Sequence, residues 1–204
     1  MDTKDTYKTI DSPGKEVLFK DKNSKFYGYT FPIKNEDEVK TILNSLKKKH
    51  HAARHWCYAW QLGTEKIRYR SNDDGEPSNS AGQPIYGQIQ SFDVTNILVV
   101  VVRYFGGVKL GVGGLINAYR TAALLGIEAS NILEKTINYN FKLSFQYKDM
   151  NKVMRIIKEH QLTITDQKLE LDCQFYISVR KKMADKINAL FSSLYEVEIE
   201  KLDV

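Results

Sequence analysis

The segment from Ile97 to Arg120 reads ILVVVVRYFGGVKLGVGGLINAYR, and no other segment constrains the fold as tightly. An uninterrupted apolar run, 97–102, enters five glycines within nine residues, Gly106, Gly107, Gly111, Gly113 and Gly114. Its β-branched residues and the glycines that follow mark the run as a buried strand, expected over 96–103. Helical periodicity is expected from Leu115 to Ser130. Strand, glycine-rich turn and helix together aim free backbone N–H groups at an anion, because the first turn of a helix leaves its amides unpaired at the positive end of the dipole. Arg103, Lys109 and Arg120 flank the turn. The competing reading is that the glycines only allow positive φ and close strand–helix packing. The spacing fits neither a P-loop nor a dinucleotide fingerprint, since no Gly-Lys-Ser/Thr closes it and no acidic residue follows about 20 residues on.

The apolar run is also far too short to cross a bilayer. The N-terminus, MDTKDTYKTI, has no apolar signal segment, so a cytoplasmic protein with no membrane partner is expected. Two distant cysteines, Cys57 and Cys173, support neither a disulfide framework nor a four-cysteine metal site. The net charge of +5 is unevenly spread. Residues 1–137 hold 19 Lys and Arg against 15 Asp and Glu, hence +4, and residues 138–204 hold 11 against 10, hence +1. Between Lys47 and Arg70 seven cations face Glu65 alone, with His50, His51 and His55 in the same stretch. A local basic patch attracts polyanions, RNA foremost in the cytoplasm; a solvated lysine-rich helix end is the plainer reading.

Two halves follow different patterns. The first is mixed, with strands expected over 15–20, 25–33 and 55–62. Asn35 caps a helix that has Glu36, Asp37 and Glu38 in its first turn and Lys47–Lys49 in its last, the charge order that suits the dipole. Residues 71–83, SNDDGEPSNSAGQ, read as a polar loop, with a short helix from near Ala81 to Phe92. The second half alternates as strand 140–147, helix 149–160, strands 162–167 and 170–180, helix 181–194 and strand 195–202. That βαββαβ order is the ferredoxin-like arrangement. A domain boundary is therefore expected near 137–139, giving domains 1–137 and 138–204.

Candidate chemistry is sparse. His50, His51 and His55 straddle a helix–strand junction, so helical i, i+4 spacing does not hold, and no metal site is expected. Cys57 lies two residues from His55, but no third group completes a nucleophile, and a buried structural cysteine is expected. Asp73, Asp74 and Glu76 beside Arg68 and Arg70 could fix the loop by ion pairs or hold a hydrated cation against a phosphate. No residues are assigned to catalysis, and no cofactor is implied.

Three blocks, HAARHWCYAW, SNDDGEPSNSAGQPI and VRYFGGVKLGVGGLINAYRTAA, occur in order and resemble the motif blocks of the YigZ/IMPACT family. The resemblance runs from about residue 13 to 204. It implies an α+β protein with an N-terminal domain of the ribosomal protein S5 domain 2-like fold and a ferredoxin-like C-terminal domain. It also implies an RNA- or ribosome-associated role linked to regulation of translation. This chain departs from the pattern at Asn79-Ser80, where Gly-Thr is common, and at Asn117, where an arginine is common.

Three functions fit these residues. The first is a non-enzymatic binder of structured RNA or the ribosome. It would use Arg54, His55, Arg68, Arg70, Arg103, Lys109, Arg120 and the amides of Gly106, Gly107, Gly111, Gly113 and Gly114. Trp56, Tyr58 and Trp60, on one face of a strand, would be either a stacking surface or core. The second is an enzyme or binder acting on a phosphorylated small molecule through the same loop, with Asp73, Asp74 and Glu76. The third is a protein-interaction module whose C-terminal domain docks a partner.

Overall fold

The structure, a computed structural model, describes residues 5–202. The chain divides into two compact units, one spanning Tyr7–Lys135 and the other taking Thr136 onward together with residues 5–6.

The first unit runs β1 (Thr6–Ile10), β2 (Val17–Asp21), β3 (Ser24–Pro32), α1 (Glu36–Lys49), β4 (His55–Leu62), β5 (Arg68–Asn72), α2 (Gly82–Ser91), β6 (Ile97–Tyr104), α3 (Gly111–Glu128) and β7 (Ile132–Thr136). Five strands form an antiparallel sheet in the order β2-β3-β6-β4-β5, and β1 pairs with β7 as a separate ribbon. The apolar run explains this layering. With β6 central between β3 and β4, both its faces must be covered, because successive side chains alternate across a sheet. Ile97, Val99 and Val101 pack with Ile85, Ile89, Ala118, Tyr119 and Ala122 from α2 and α3. Leu98, Val100 and Val102 pack with Val39 and Leu46 from α1. All six β6 residues are fully buried.

α1 follows its charge pattern: the Asn35 side chain accepts from the amides of Asp37 and Glu38, and Lys47–Lys49 close the last turn. α3 starts four residues before the expected Leu115, so Gly113 and Gly114 lie within the helix rather than in the turn, and Gly111 opens it. β5 falls partly inside the expected polar loop; it is an edge strand held by pairing of Tyr58–Leu62 with Arg68–Asn72.

The rest of the acidic loop is pinned at two points. Asp73 caps α2, accepting from the amides of Ala81 and Gly82 at 3.0 and 2.8 Å and from Asn79 at 2.9 Å. Glu76 enters the interior, where its Oε1 accepts from Arg103 Nη1 of β6 at 2.6 Å and from the Tyr119 hydroxyl of α3 at 2.7 Å. On the opposite face His50 is 7% exposed and lies between two phenols, with Nε2 2.6 Å from Tyr29 Oη and Nδ1 3.0 Å from Tyr104 Oη. Tyr29 donates to Glu16, so its oxygen is left to accept from His50 Nε2–H, and Nδ1 accepts from Tyr104.

The second unit runs β8 (Asn138–Gln146), α4 (Met150–Glu159), β9 (Thr163–Lys168), β10 (Asp172–Arg180), α5 (Lys181–Ser192) and β11 (Val197–Leu202). Its sheet order β11-β8-β10-β9, all antiparallel, is that of a ferredoxin-like unit. A separate core joins Phe141, Leu143, Phe145, Phe175 and Ile177 to Val153, Ile157, Ile187 and Phe191. Arg180 adds an ion pair to Asp5 at 2.6 Å. No helix among the described residues is long and apolar enough to cross a membrane.

Three outcomes are expected. An isolated fragment 136–204 should unfold cooperatively in urea, because its core is complete; a broad, non-cooperative melt would show that it depends on the rest of the chain. Glu76→Ala should cost about 3–5 kcal/mol, since it strands the Arg103 charge in the interior. Adding Arg103→Met should recover much of that loss in the same urea titrations, and a double variant no more stable than the single would refute the pairing argument. Burial, with the nearby Lys49 charge, holds the His50 pKa below its ordinary 6.5, opposed by Glu16. Neutral His50 therefore contributes stability that is present above pH 6.5 and is lost as pH falls through the lowered folded value. His50→Gln should remove the part of the pH dependence that wild type shows between pH 6.5 and 5, read as the difference between the two urea midpoints.

Candidate functional site

β4, β6, the acidic loop and α3 converge at one end of the five-stranded sheet. His55 and Arg103 are directly paired across β4 and β6, which sets the first histidine of the strand beside the last buried cation of its neighbour. The chain then leaves β6 at Tyr104, turns through Gly106 and Gly107, and enters α3 at Gly111. The result is a cleft of about 490 Å³ lined by Arg54, His55, Glu76, Pro77, Arg103, Phe105, Lys109, Leu110, Gly111, Val112 and Leu115.

Its floor is the Glu76 carboxylate, whose side chain is 4% exposed. The Arg103 guanidinium is 5.5 Å from the Phe26 ring and 5.6 Å from the Phe105 ring, so aromatic faces supply part of its solvation. Burial pushes the Tyr119 phenol far above its usual range, so this hydroxyl remains a donor to Glu76. His55 Nδ1 lies 2.9 Å from the Asp74 carbonyl, which can only accept, so Nδ1 carries a proton. Its Nε2 then faces Glu76 Oε1 at 4.0 Å. Arg54 and Lys109 at the mouth are exposed and have no ion-pair partner among the described residues.

α3 presents its N-terminus to this cleft. Leu110 provides no side-chain cap and the first turn holds no acidic residue, so the leading amides are uncompensated. Gly111, at φ +72°, makes the left-handed step into the helix that residues with a Cβ rarely take.

The structure gathers part of the sequence-based candidate set and disperses the rest. Arg54, His55, Arg103, Lys109, Gly111 and Glu76 line the cleft. Gly106 does not offer its amide to a ligand: the amide donates to Ser24 Oγ at 3.1 Å, and a Cβ there would lie 2.1 Å from the Asn23 carbonyl carbon. Gly106 is a packing device against the β2–β3 turn. Gly107, at φ +87°, sits in the turn beyond it, and Gly113 and Gly114 lie in the first turn of α3 outside the cleft lining. Arg120 is exposed about 14 Å further along α3, given 1.5 Å per residue. Arg70 and Arg68 pair opposite Trp60 and Leu62, roughly 17 and 23 Å along β4 from His55 at about 3.3 Å per residue. Arg68 bonds Glu36 instead.

Of the three acids, Glu76 alone reaches the cleft. Asp73 is used in capping α2, and Asp74 Oδ2 accepts from the Trp56 amide at 2.8 Å, so neither reaches Arg103 or the cleft. No cluster able to hold a metal ion is found among the described residues. Trp56, Tyr58 and Trp60 face α1 and pack in its core, which removes them as a stacking surface. Cys57 is fully buried with its thiol donating to the Asp73 carbonyl at 3.0 Å, and burial pushes its pKa far up, so the sulfur is no nucleophile near neutral pH. Sequence reasoning missed Tyr119 and Phe105. The first looks like any inward residue of an amphipathic helix; the second, an exposed aromatic directly before Gly106, could have been noticed.

The Impact N-terminal domain family matches residues 22–127. The chain is 29% identical over 199 residues to IMPACT family member YvyE of Bacillus subtilis, an alignment covering 98% of this chain and 90% of that protein. It is 31% identical over 191 residues to an IMPACT family member of Haemophilus influenzae, covering 90% of each. IMPACT family member YigZ of Escherichia coli is 30% identical over 138 residues, 67% of this chain and 68% of that one. A crystal structure of a hypothetical protein shares the fold over 98% of both chains, with a TM-score of 0.71 at 22% identity. With three motif blocks in order and relatives aligned along nearly its whole length, the chain belongs to the YigZ/IMPACT family.

Proposed function

We propose that this protein is a non-enzymatic RNA-binding protein acting in translation, and that the cleft at the α3 N-terminus is where it holds RNA phosphate. The observation that carries this reading is the meeting of Arg54 and Lys109, both exposed and unpaired among the described residues, with the uncapped first turn of α3. Phosphate favours that site for two additive reasons: free amides donate to its oxygens, and the dipole end and side-chain cations neutralise its charge. The family resemblance supplies the ribosome or another RNA of the translation machinery as the setting. Action on a phosphorylated small molecule remains the enzyme alternative at the same cleft, but Cys57 cannot serve it as a nucleophile.

A second reading, docking of a protein partner through the C-terminal unit, has its own support. Tyr147, Leu171 and Tyr195 are 64%, 87% and 101% exposed, and the Tyr147 amide bonds the Leu171 carbonyl, so the backbones of two of these residues are adjacent.

Arg54→Ala/Lys109→Ala should bind structured RNA more weakly, with the loss roughly uniform across sequences, because phosphate contacts position without reading bases. The slope of log affinity against log salt should fall by about one for each contact removed. Arg120→Ala, lying outside the cleft, should change affinity less. Fluorescence anisotropy across a salt series, with folding checked by circular dichroism, measures all three. A folded double variant with wild-type affinity and slope would remove the cleft from RNA binding and leave the exposed C-terminal face as the surface to test.

A further inference from the structure

We infer that the cleft is built for a terminal phosphomonoester carried on a nucleotide, its dianion between Arg54, Lys109 and the α3 N-terminus and its apolar body against Phe105 and Val112. This rests on the reading of the cleft as a phosphate site and specifies which phosphate it takes.

Charge is the first argument. Counting Lys, Arg, Asp and Glu alone, three cations, Arg54, Arg103 and Lys109, against the single carboxylate Glu76 leave a surplus of two positive charges around the cleft. A backbone phosphodiester supplies one negative charge. A phosphomonoester supplies about 1.5 to 2 at neutral pH, together with three acceptor oxygens. The α3 amides add positive potential that one diester charge leaves further uncompensated.

An unsatisfied donor is the second. Arg103 is only 6% exposed, yet its Nε has no hydrogen-bond partner among the described residues, while Nη1 is engaged by Glu76. Buried guanidinium donors are rarely left unpaired. Arg103 forms part of the cleft wall, so an oxygen-rich ligand bound there brings acceptors close to a guanidinium that has one donor unmatched.

Shape is the third. About 490 Å³ falls in the range of sites that enclose one small ligand, and suits a single nucleotide rather than a duplex groove. Its rim carries Phe105 and Val112, each 54% exposed, apolar surface that a helix-end phosphate site does not need. An exposed aromatic face beside a phosphate site is what stacking of one base requires, and such stacking tolerates any base. The phosphomonoester could come from an RNA end or from a free nucleotide, so the test separates these.

The experiment compares binding of one short single-stranded RNA bearing a 5′-phosphate, a 3′-phosphate or hydroxyls at both ends, and of a nucleoside 5′-monophosphate alone, to wild type and Val112→Asp. Aspartate at this exposed first-turn position complements the helix dipole, so folding is preserved while a negative charge occupies the phosphate's approach. Wild type should prefer a phosphorylated end by at least about tenfold, the scale of one charge-assisted hydrogen bond, and Val112→Asp should abolish that preference. Phe105→Ala should weaken phosphorylated ends while leaving the fold intact. Equal binding of all three oligonucleotides by wild type would overturn the inference and leave RNA binding standing, as would an unchanged preference in folded Val112→Asp. Binding of the monophosphate alone, sensitive to Val112→Asp, would support the phosphomonoester site and overturn the RNA reading. Binding of neither would overturn both.

Discussion

One carboxylate oxygen holds the cleft end of the first unit together. Glu76 Oε1 takes a hydrogen bond from Arg103 on the central strand and another from Tyr119 on α3, and it belongs to a loop with no regular structure of its own. Remove it and a guanidinium, a phenol and a polar loop lose their shared partner in the interior. Such a buried pair adds little net stability compared with an apolar substitute; what it does here is tie one loop position to a donor from β6 and a donor from α3. The cleft geometry follows. His55 is oriented by the neighbouring Asp74 carbonyl, and Phe105 lies against the guanidinium that Glu76 fixes.

The same economy explains how an acidic loop borders a cationic cleft. Asp73 and Asp74 are engaged with backbone amides, at α2 and at the start of β4, so their charges are neutralised locally by dipoles rather than projected into the opening. Glu76 is matched by Arg103. Arg54 and Lys109 are left at the mouth without an ion-pair partner among the described residues, although three acids lie close in sequence.

How far the sequence could be read depended on whether the deciding interaction was local. The ends of α1 were legible to the residue, because a cap and a dipole-ordered charge pattern are local physics. β4 and β6 were legible because their side-chain alternation and apolar run leave no other element to form. The ferredoxin-like order followed from clean alternation between periods of two and 3.6. β5 was not legible: Arg68–Asn72, RYRSN, has no apolar face, and it is a strand only because β4 offers it a partner edge. β1 and β7 are likewise held by each other across the length of the unit. The start of α3 was placed late because glycine disfavours a helix interior by about 1 kcal/mol, a cost that packing of Leu115, Ala118 and Tyr119 overrides.

The candidate site was half legible for a related reason. Cations near the glycine turn are visible in one dimension, but whether they converge depends on strand direction. Arg68 and Arg70 follow His55 in the chain and yet run away from it, because the β4–β5 hairpin turns at the far end of the sheet. Arg103 and Glu76 lie 27 residues apart, and which of three neighbouring acids Arg103 meets is fixed by backbone capping at Asp73 and Asp74. Composition marked a basic stretch from Lys47 to Arg70, of which only Arg54 supplies a cation to the cleft, and only the fold could decide which charges cancel. That cancellation leaves a small, strongly positive opening rather than a long basic stripe. A site so confined gains most from a ligand that concentrates its negative charge at one point, and little from one that spreads it along a chain.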